Sequence, residues 1–99
     1  MIKVNVKKNN DIINELVIKG HAGYDVHGKD IVCAAVSSTL LCTVNALLSI
    51  DDKSIRINQD RDFVLEIKSY DDITVKLINN MIRCLESLEK QYPKNIKIK

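Results

Sequence analysis

The sequence predicts a single α+β domain over residues 1–99. We expect a mostly antiparallel sheet of about five strands and two helices, in the order ββαββαβ. Four short segments alternate apolar and polar side chains, as half-buried strands do, and a fifth is mostly apolar. Two long segments space their apolar residues as helices do. Because two helices cannot cover both faces of a five-stranded sheet, we expect them chiefly on one face.

The first predicted element is a β-hairpin. Ile2, Val4 and Val6 alternate with polar residues, which is the pattern of a half-buried strand. Residues 8–11 are polar and contain Asn-Asn-Asp, residue types that favour turns. Residues 13–19 are mostly apolar and predict the strand that pairs with the first.

The longest apolar segment, residues 31–50, predicts the first helix. It holds no charged residue, glycine or proline, and the preceding Asp30 is a preferred helix N-cap. A helix that is apolar on nearly all sides is buried on more than one side. We therefore expect the sheet on one face and the second helix or a partner chain on another, with Cys42 in the core. Serine, threonine and asparagine side chains within the segment disfavour a membrane span.

The second half of the chain predicts another hairpin, a second helix and a last strand. Strands at residues 54–58 and 63–68 flank a polar loop, and Asp71 or Asp72 caps a helix that ends near Gln91, before Pro93. The apolar stripe of this helix comprises Val75, Ile78, Ile82, Leu85 and Leu88, widened by Met81 and Cys84. Residues 95–99 alternate again and predict an edge strand.

The overall composition excludes several classes of protein. Fifteen basic and 13 acidic residues give a net charge of +2, and only four residues are aromatic. Both features disfavour nucleic-acid binding, which needs a basic surface or stacking platforms. The three cysteines are an odd number with no close pair, so we expect free thiols in a reducing cytoplasm. The N-terminus is polar and alternating, which does not resemble a signal peptide.

Function is expected in the segment between the second strand and the first helix. All three glycines (Gly20, Gly23 and Gly28) and both histidines (His21 and His27) fall within nine residues there. Loops that carry polar side chains on a rigid scaffold are common functional sites. The glycines also allow a hinge at each end of the loop, as a closing lid requires.

Cys33 and His21 are the candidate catalytic pair. The first turn of a helix has unpaired backbone N–H groups and a partial positive charge, which together stabilise a thiolate at Cys33. A loop of twelve residues is long enough to fold His21 back onto that turn. A thiol with an imidazole is the minimum set for acyl transfer. The first-turn N–H groups are candidates for an oxyanion hole.

Each of these residues also has a structural interpretation. Cys33 in an alanine-rich helix can be a small core residue, and we assign Cys42 and Cys84 to the core. Asp30 and Asp25 are candidates to orient His21, although capping alone explains Asp30. Ser37, one turn after Cys33, supports the site or is an ordinary helical hydroxyl. Tyr24 lines the pocket or packs at the edge of the core, and His27 is expected in solvent.

Two blocks of the sequence form a recognisable motif: Gly20-His21-Ala22-Gly23-Tyr24, followed by Gly28, and then Asp-Ile-Val-Cys-Ala-Ala-Val-Ser at residues 30–37. Together they closely resemble the ribosomal-processing cysteine protease (Prp) family. The resemblance implies a small cytoplasmic homodimer. It implies a peptidase that removes a short N-terminal extension from a large-subunit ribosomal protein. It further implies that Cys33 is the nucleophile, that His21 is its general base and acid, and that residues 23–29 close over the peptide. No metal or cofactor is implied.

Two other classes of function remain open from the residues alone. Gly20-His21-Ala22-Gly23 satisfies the short GxxG pattern of KH domains, which suits a small RNA- or ribosome-binding module without proteolysis. His21, His27 and Cys33 are metal-ligand types, but their spacing matches no common zinc motif, so we expect no metal.

Overall fold

The computed structural model describes residues 1–26 and 29–99. The elements are β1 (Ile2–Asn9), β2 (Ile12–Lys19), α1 (Ile31–Ile50), β3 (Ile55–Asn58), β4 (Phe63–Ile67), α2 (Asp72–Gln91) and β5 (Ile96–Ile98). The predicted order ββαββαβ and the α+β class are therefore confirmed.

The five strands form one mixed sheet in the order β3-β4-β2-β1-β5. Three of the four strand pairs are antiparallel, as predicted. The exception is β5, which pairs parallel to β1 with Ile2 opposite Ile96 and Val4 opposite Ile98. Parallel pairing requires a long connection, and β1 and β5 are the two strands most separated in sequence. The last strand thus lies at an edge, as its sequence indicates, and brings the C-terminus beside the N-terminus.

The first hairpin is longer than its sequence suggests. β1 continues through Lys8 to Asn9, with a bulge between Lys7 and Lys8, so the turn consists of only two residues. Asn10 and Asp11 have φ angles of 53° and 65°. Positive φ at both positions is typical of a type I′ hairpin turn, and asparagine and aspartate tolerate it better than most residues.

α1 contributes one side to the core and leaves much of the other side open. Val32, Val36, Leu40 and Leu47 are buried against the sheet and α2. The opposite side is exposed, including 61% of Leu41. The predicted burial on more than one side is therefore incomplete within a single chain. By length and composition α1 also meets the criteria for a membrane span, as core helices can, and four of its residues lie in this core.

The assignment of Cys42 and Cys84 to the core is wrong. Both thiols are exposed. Cys42 lies two residues after the buried Leu40, which places it about 200° around the helix from that residue. Apolar composition all round α1 did not reveal which side faces the sheet.

α2 is amphipathic, but its buried face is centred differently from the predicted stripe. Asp71 is its N-cap and accepts a hydrogen bond of 2.8 Å from the Thr74 backbone N–H. The buried residues are Thr74, Ile78, Met81 and Leu85. Val75 and Cys84, which the stripe included, are exposed. Thr74 lies four residues before Ile78, on the same side of the helix, and takes the place of Val75 at the start of the buried face.

Candidate active site

Gly20 sets the point at which β2 turns into the predicted functional segment. Its φ is +83°, and a Cβ built at this position would lie 2.5 Å from the Met1 carbonyl oxygen. Only glycine can adopt this backbone conformation so close to another main chain. The residue that follows β2 is therefore fixed against the start of β1, and His21 comes next.

We expect Gly20→Ala to lower the free energy of unfolding by about 2–4 kcal/mol, because left-handed backbone strain adds to the clash with Met1. Gly23 is the matched control, since its φ is +67° but a Cβ there meets nothing within 4 Å. Gly23→Ala should therefore cost only about 1–2 kcal/mol. Urea unfolding of both variants measures the difference, and equal losses would show that the close approach to Met1 is unimportant.

Ala22 joins the segment to the start of α1. Its side chain is buried, and its backbone N–H donates a hydrogen bond to Cys33 Sγ at 3.2 Å. Its carbonyl oxygen accepts a hydrogen bond from Asn95 Nδ2 at 3.0 Å. His21 and Gly23 flank this anchored residue and are exposed. The structure thus brings the residue next to His21 into contact with the Cys33 thiol.

Asp30 holds the segment and the helix start together with one carboxylate. As the predicted N-cap of α1, it accepts hydrogen bonds from the N–H groups of Val32 and Cys33 through Oδ1, each at 3.0 Å. Oδ2 accepts from the N–H groups of Tyr24 at 2.9 Å and Asp25 at 3.4 Å. These bonds all go to backbone N–H groups. Asp30 therefore shapes the site through the main chain.

The charge of Asp30 is favoured in the folded state. Desolvation by burial acts to raise its pKa, but the four backbone hydrogen bonds from Cys33, Tyr24, Asp25 and Val32 outweigh this and lower the pKa below the ordinary 3.8. A carboxylate with a depressed pKa stabilises the fold above its unfolded pKa. That contribution disappears as the pH falls through the lower, folded pKa.

We expect Asp30→Asn to be less stable than the wild type at pH 6, because an amide nitrogen cannot accept the bonds that Oδ2 accepts. The difference in the free energy of unfolding should begin to narrow near pH 3.8, where the Asp30 carboxylate of the unfolded chain takes up a proton, and should stop narrowing below the lower pKa of the folded protein. Urea unfolding of both proteins between pH 6 and pH 2.5 measures it. A gap that is independent of pH would mean that the charge of Asp30 has no role.

Three N–H groups of the first turn of α1, those of Val32, Cys33 and Ala34, already have acceptors and do not form the expected oxyanion hole. The N–H groups of Val32 and Cys33 donate to Asp30 Oδ1, and that of Ala34 donates to the Asp30 carbonyl oxygen at 3.1 Å. An acidic N-cap satisfies the donors that are otherwise free at a helix start. The backbone N–H directed at the thiol instead comes from Ala22, outside the helix.

A cavity of about 1060 Å³ opens beside these residues. The predicted site residues that line it are Gly20, His21, Gly23, Asp30, Cys33 and Ser37. Its apolar wall includes Leu40 and Val44 of α1 and Phe63 of β4, and its polar rim includes Gln59, Arg61 and Asp62. The cavity is large enough for several residues of an extended peptide.

Tyr24 is the predicted site residue that does not line the cavity. Its ring meets that of Tyr92 edge to face, with centroids 5.4 Å apart and an interplanar angle of 83°. Tyr92 packs against the core. Tyr24 therefore follows the alternative that the sequence left open, packing at the edge of the core, and it ties the segment to the end of α2.

The alternatives based on metal and RNA gain no support from this geometry. Among residues 1–26 and 29–99, no three His, Cys, Asp or Glu side chains are placed to share a metal ion. His27 and Gly28, on which the metal alternative and one loop hinge depend, lie outside the described residues. The GxxG segment follows a strand, and its Ala22 amide is directed at Cys33.

All three cysteines are free thiols, as predicted.

Sequence reasoning missed three residues of the site, which come from two other parts of the chain. Asn95 contacts Ala22 from 73 residues away, and Arg61 with Gln59 reaches the rim from the loop between β3 and β4. The alternation of residues 95–99 indicated a strand, but no local pattern distinguishes an asparagine that faces the site from one in a turn.

The Cys33 thiol lies at a helix start and at the edge of an apolar cavity, in contact with the main chain of a segment that carries a histidine. This arrangement is typical of cysteine hydrolases. The sequence model of the family described as cysteine protease Prp matches residues 1–97, and the chain belongs to that family. It is accordingly a cysteine protease, and the resemblance seen in the sequence is confirmed.

Individual relatives match along nearly the whole chain. The ribosomal processing cysteine protease Prp of Staphylococcus aureus strain Mu50 is 27% identical, over 99% of this chain and 97% of the relative. That of Bacillus subtilis strain 168 is 29% identical, over 99% and 96%. The crystal structure of the S. aureus protease with a covalently linked product peptide gives a TM-score of 0.92 at 28% identity, covering 99% and 97% of the two chains. The complex with a substrate peptide gives 0.86 at 27% identity, covering 100% and 98%.

Proposed function

We propose that this protease removes a short N-terminal extension from a large-subunit ribosomal protein, with Cys33 as the nucleophile and His21 as its general base and acid. The observation that carries the assignment is the 3.2 Å hydrogen bond from the Ala22 N–H to Cys33 Sγ, which holds the His21 main chain beside the thiol. The substrate class is supported by the names of the relatives and by the peptide complexes of the S. aureus protein.

The proposed reaction proceeds in two steps. His21 takes the proton of the Cys33 thiol, and the thiolate attacks the scissile carbonyl carbon to form a tetrahedral intermediate. When the C–N bond breaks, His21 donates the proton to the leaving amine, and a thioester remains on Cys33. His21 then takes a proton from water, and the hydroxide attacks the thioester carbonyl carbon. The C–S bond breaks, His21 returns its proton to the Cys33 sulfur, and the carboxylic acid product leaves and ionises in water.

Two features of the surroundings of Cys33 complement the negative charge of an attacking sulfur. The thiol lies at the third residue of α1, where the helix dipole is positive, and it accepts the Ala22 N–H. It is half-buried, so substrate reaches it through the cavity. The extended peptide lies along the apolar wall formed by Leu40, Val44 and Phe63, and the segment from Gly23 to Lys29 closes over it. Ser37 lies on the same wall one turn after Cys33 and supports the peptide there.

The proposed function is tested by incubating the protein with the intact ribosomal protein from the same genome and measuring both masses. We expect loss of a short N-terminal segment with the wild type and with Cys84→Ala, which removes an exposed thiol. We expect no loss with Cys33→Ala. Binding of RNA that weakens with salt, without cleavage of an extended substrate, would instead support the alternative RNA- or ribosome-binding module.

We further propose that the protease is a cytoplasmic homodimer in which a second copy covers the open side of α1. This side carries the exposed apolar side chains of Ile31, Leu41 and Leu48. A twofold contact between two such helices buries them with one self-complementary surface. The free thiols suit a reducing compartment.

The dimer is tested by sedimentation of Leu48→Asp and Ile73→Asp, since both replace an exposed apolar residue with a charge. Leu48 lies on α1, whereas Ile73 lies on α2. We expect a monomer only for Leu48→Asp. A wild-type monomer at micromolar concentration, or an unchanged Leu48→Asp dimer, would contradict the proposed surface.

A further inference from the structure

Asn95 forms a long-range contact with the catalytic segment. It lies between α2 and β5, and its Nδ2 donates a hydrogen bond of 3.0 Å to the Ala22 carbonyl oxygen, across 73 residues of sequence. The Asn95 main chain is itself fixed. Its carbonyl oxygen accepts from the Ile2 N–H, and its N–H donates to the Tyr92 carbonyl oxygen, each at 2.9 Å. The side-chain amide therefore projects from a rigid base.

The bond from Asn95 lies one peptide unit away from the Cys33 thiol. Ala22 accepts from Asn95 through its C=O and donates to Cys33 Sγ through its N–H. Its methyl group is buried in the core, so two hydrogen bonds and this packing contact together hold the residue. Without the Asn95 bond, the Ala22 carbonyl loses its side-chain partner, and the main chain that directs the Ala22 N–H at Cys33 is held by one contact fewer.

We propose that Asn95 is a positioning residue for the nucleophile. It holds Ala22 so that the Ala22 N–H stays directed at Cys33 Sγ. An N–H directed at the sulfur stabilises the negative charge that the sulfur carries as it attacks, and a mobile donor does so less because ordering it costs entropy. Asn95 acts on catalysis through Ala22 and touches neither substrate nor thiol. The inference rests on the proposed role of Cys33, which the cleavage assay tests separately.

The test is the rate of alkylation of Cys33 by iodoacetamide at neutral pH, followed by peptide mass analysis. Asn95→Ala should slow alkylation of Cys33 by about tenfold, as expected when a nucleophilic sulfur loses a firmly held hydrogen-bond donor. Asn95→Asp should slow it at least as much, because a carboxylate of nearly the same size cannot donate. Lys94→Ala, at the exposed neighbouring position, should match the wild type.

Cys84 provides an internal reference in every sample. It is exposed on α2, so its alkylation rate should not change unless the fold itself loosens. A merely structural role for Asn95 predicts a parallel change at Cys84 and Cys33, or a lower melting temperature with an unchanged alkylation rate at Cys33. Either result would overturn the proposal. In the cleavage assay, a positioning role predicts a lower kcat with little change in KM.

A measurement on the wild type keeps the proposal testable if both Asn95 variants unfold. Nuclear magnetic resonance follows the Ala22 amide and the Asn95 side-chain amide as Cys33 is alkylated. Both signals should shift together, since one residue joins them. Movement of the Ala22 signal with a stationary Asn95 signal would overturn the coupling, whether or not the protein cleaves its substrate.

Discussion

Cys33→Ala is expected to abolish peptide cleavage, with kcat/KM reduced by a factor on the order of 10⁶, the size of loss seen when a catalytic nucleophile is removed. No other thiol is placed to substitute for it, because Cys42 and Cys84 are exposed on the helices and neither lines the cavity. The fold should persist. The variant loses one sulfur that accepts the Ala22 N–H, which costs about 1 kcal/mol of stability.

The control for this prediction is Cys84→Ala, which makes the same chemical change away from the cavity. Its cleavage rate should equal that of the wild type. Cys33→Ser retains an acceptor for the Ala22 N–H and should be as inactive as Cys33→Ala, since an alcohol is a much weaker nucleophile than a thiolate. Cleavage by Cys33→Ala within tenfold of the wild-type rate would remove Cys33 from the mechanism.

His21→Ala is expected to lower kcat by a factor of roughly 10²–10⁴, the usual contribution of a general acid–base group. His21 is exposed at the edge of the cavity, so the free energy of unfolding should hardly change. Added imidazole should restore part of the activity, because it can occupy the space of the missing ring and transfer the same proton.

His27→Ala is the matched control, since it removes the second histidine of the same segment. The sequence predicts that His27 is solvated, and its variant should cleave at the wild-type rate without a response to imidazole. Wild-type kinetics for His21→Ala, or a larger loss for His27→Ala, would assign the proton transfer to a different residue.

The fold could largely be predicted from local patterns. Period-two alternation in β1 and a long uncharged segment without glycine or proline in α1 are strong signals, and Asp30 and Asp71 mark both helix starts. The exposed thiols were not predicted, because a uniformly apolar helix does not show which side faces the sheet. The parallel pairing of β5 with β1 depends on contacts between the two ends of the chain, which no local pattern records.

The candidate site was likewise predictable from the sequence only in part. Cys33 and His21 carry recognisable chemistry within one short segment, and the structure places both at one cavity. The backbone N–H groups that face these two residues were not predicted, because several acceptors compete for the same donors. Asp30 takes the first-turn N–H groups that were expected to face the substrate, and Ala22 supplies an N–H to the thiol in their place.

Covalent bonding of the substrate to Cys33 can be observed with a chloromethyl ketone of the peptide that precedes the cleavage site, which alkylates an active-site thiol with loss of chloride. Intact mass and peptide mapping should show one adduct per chain, on Cys33, with none on Cys42 or Cys84 and much slower labelling of His21→Ala. Adducts spread equally over the three cysteines, or a fully active protein with unmodified Cys33 after labelling, would show that Cys33 is not the nucleophile.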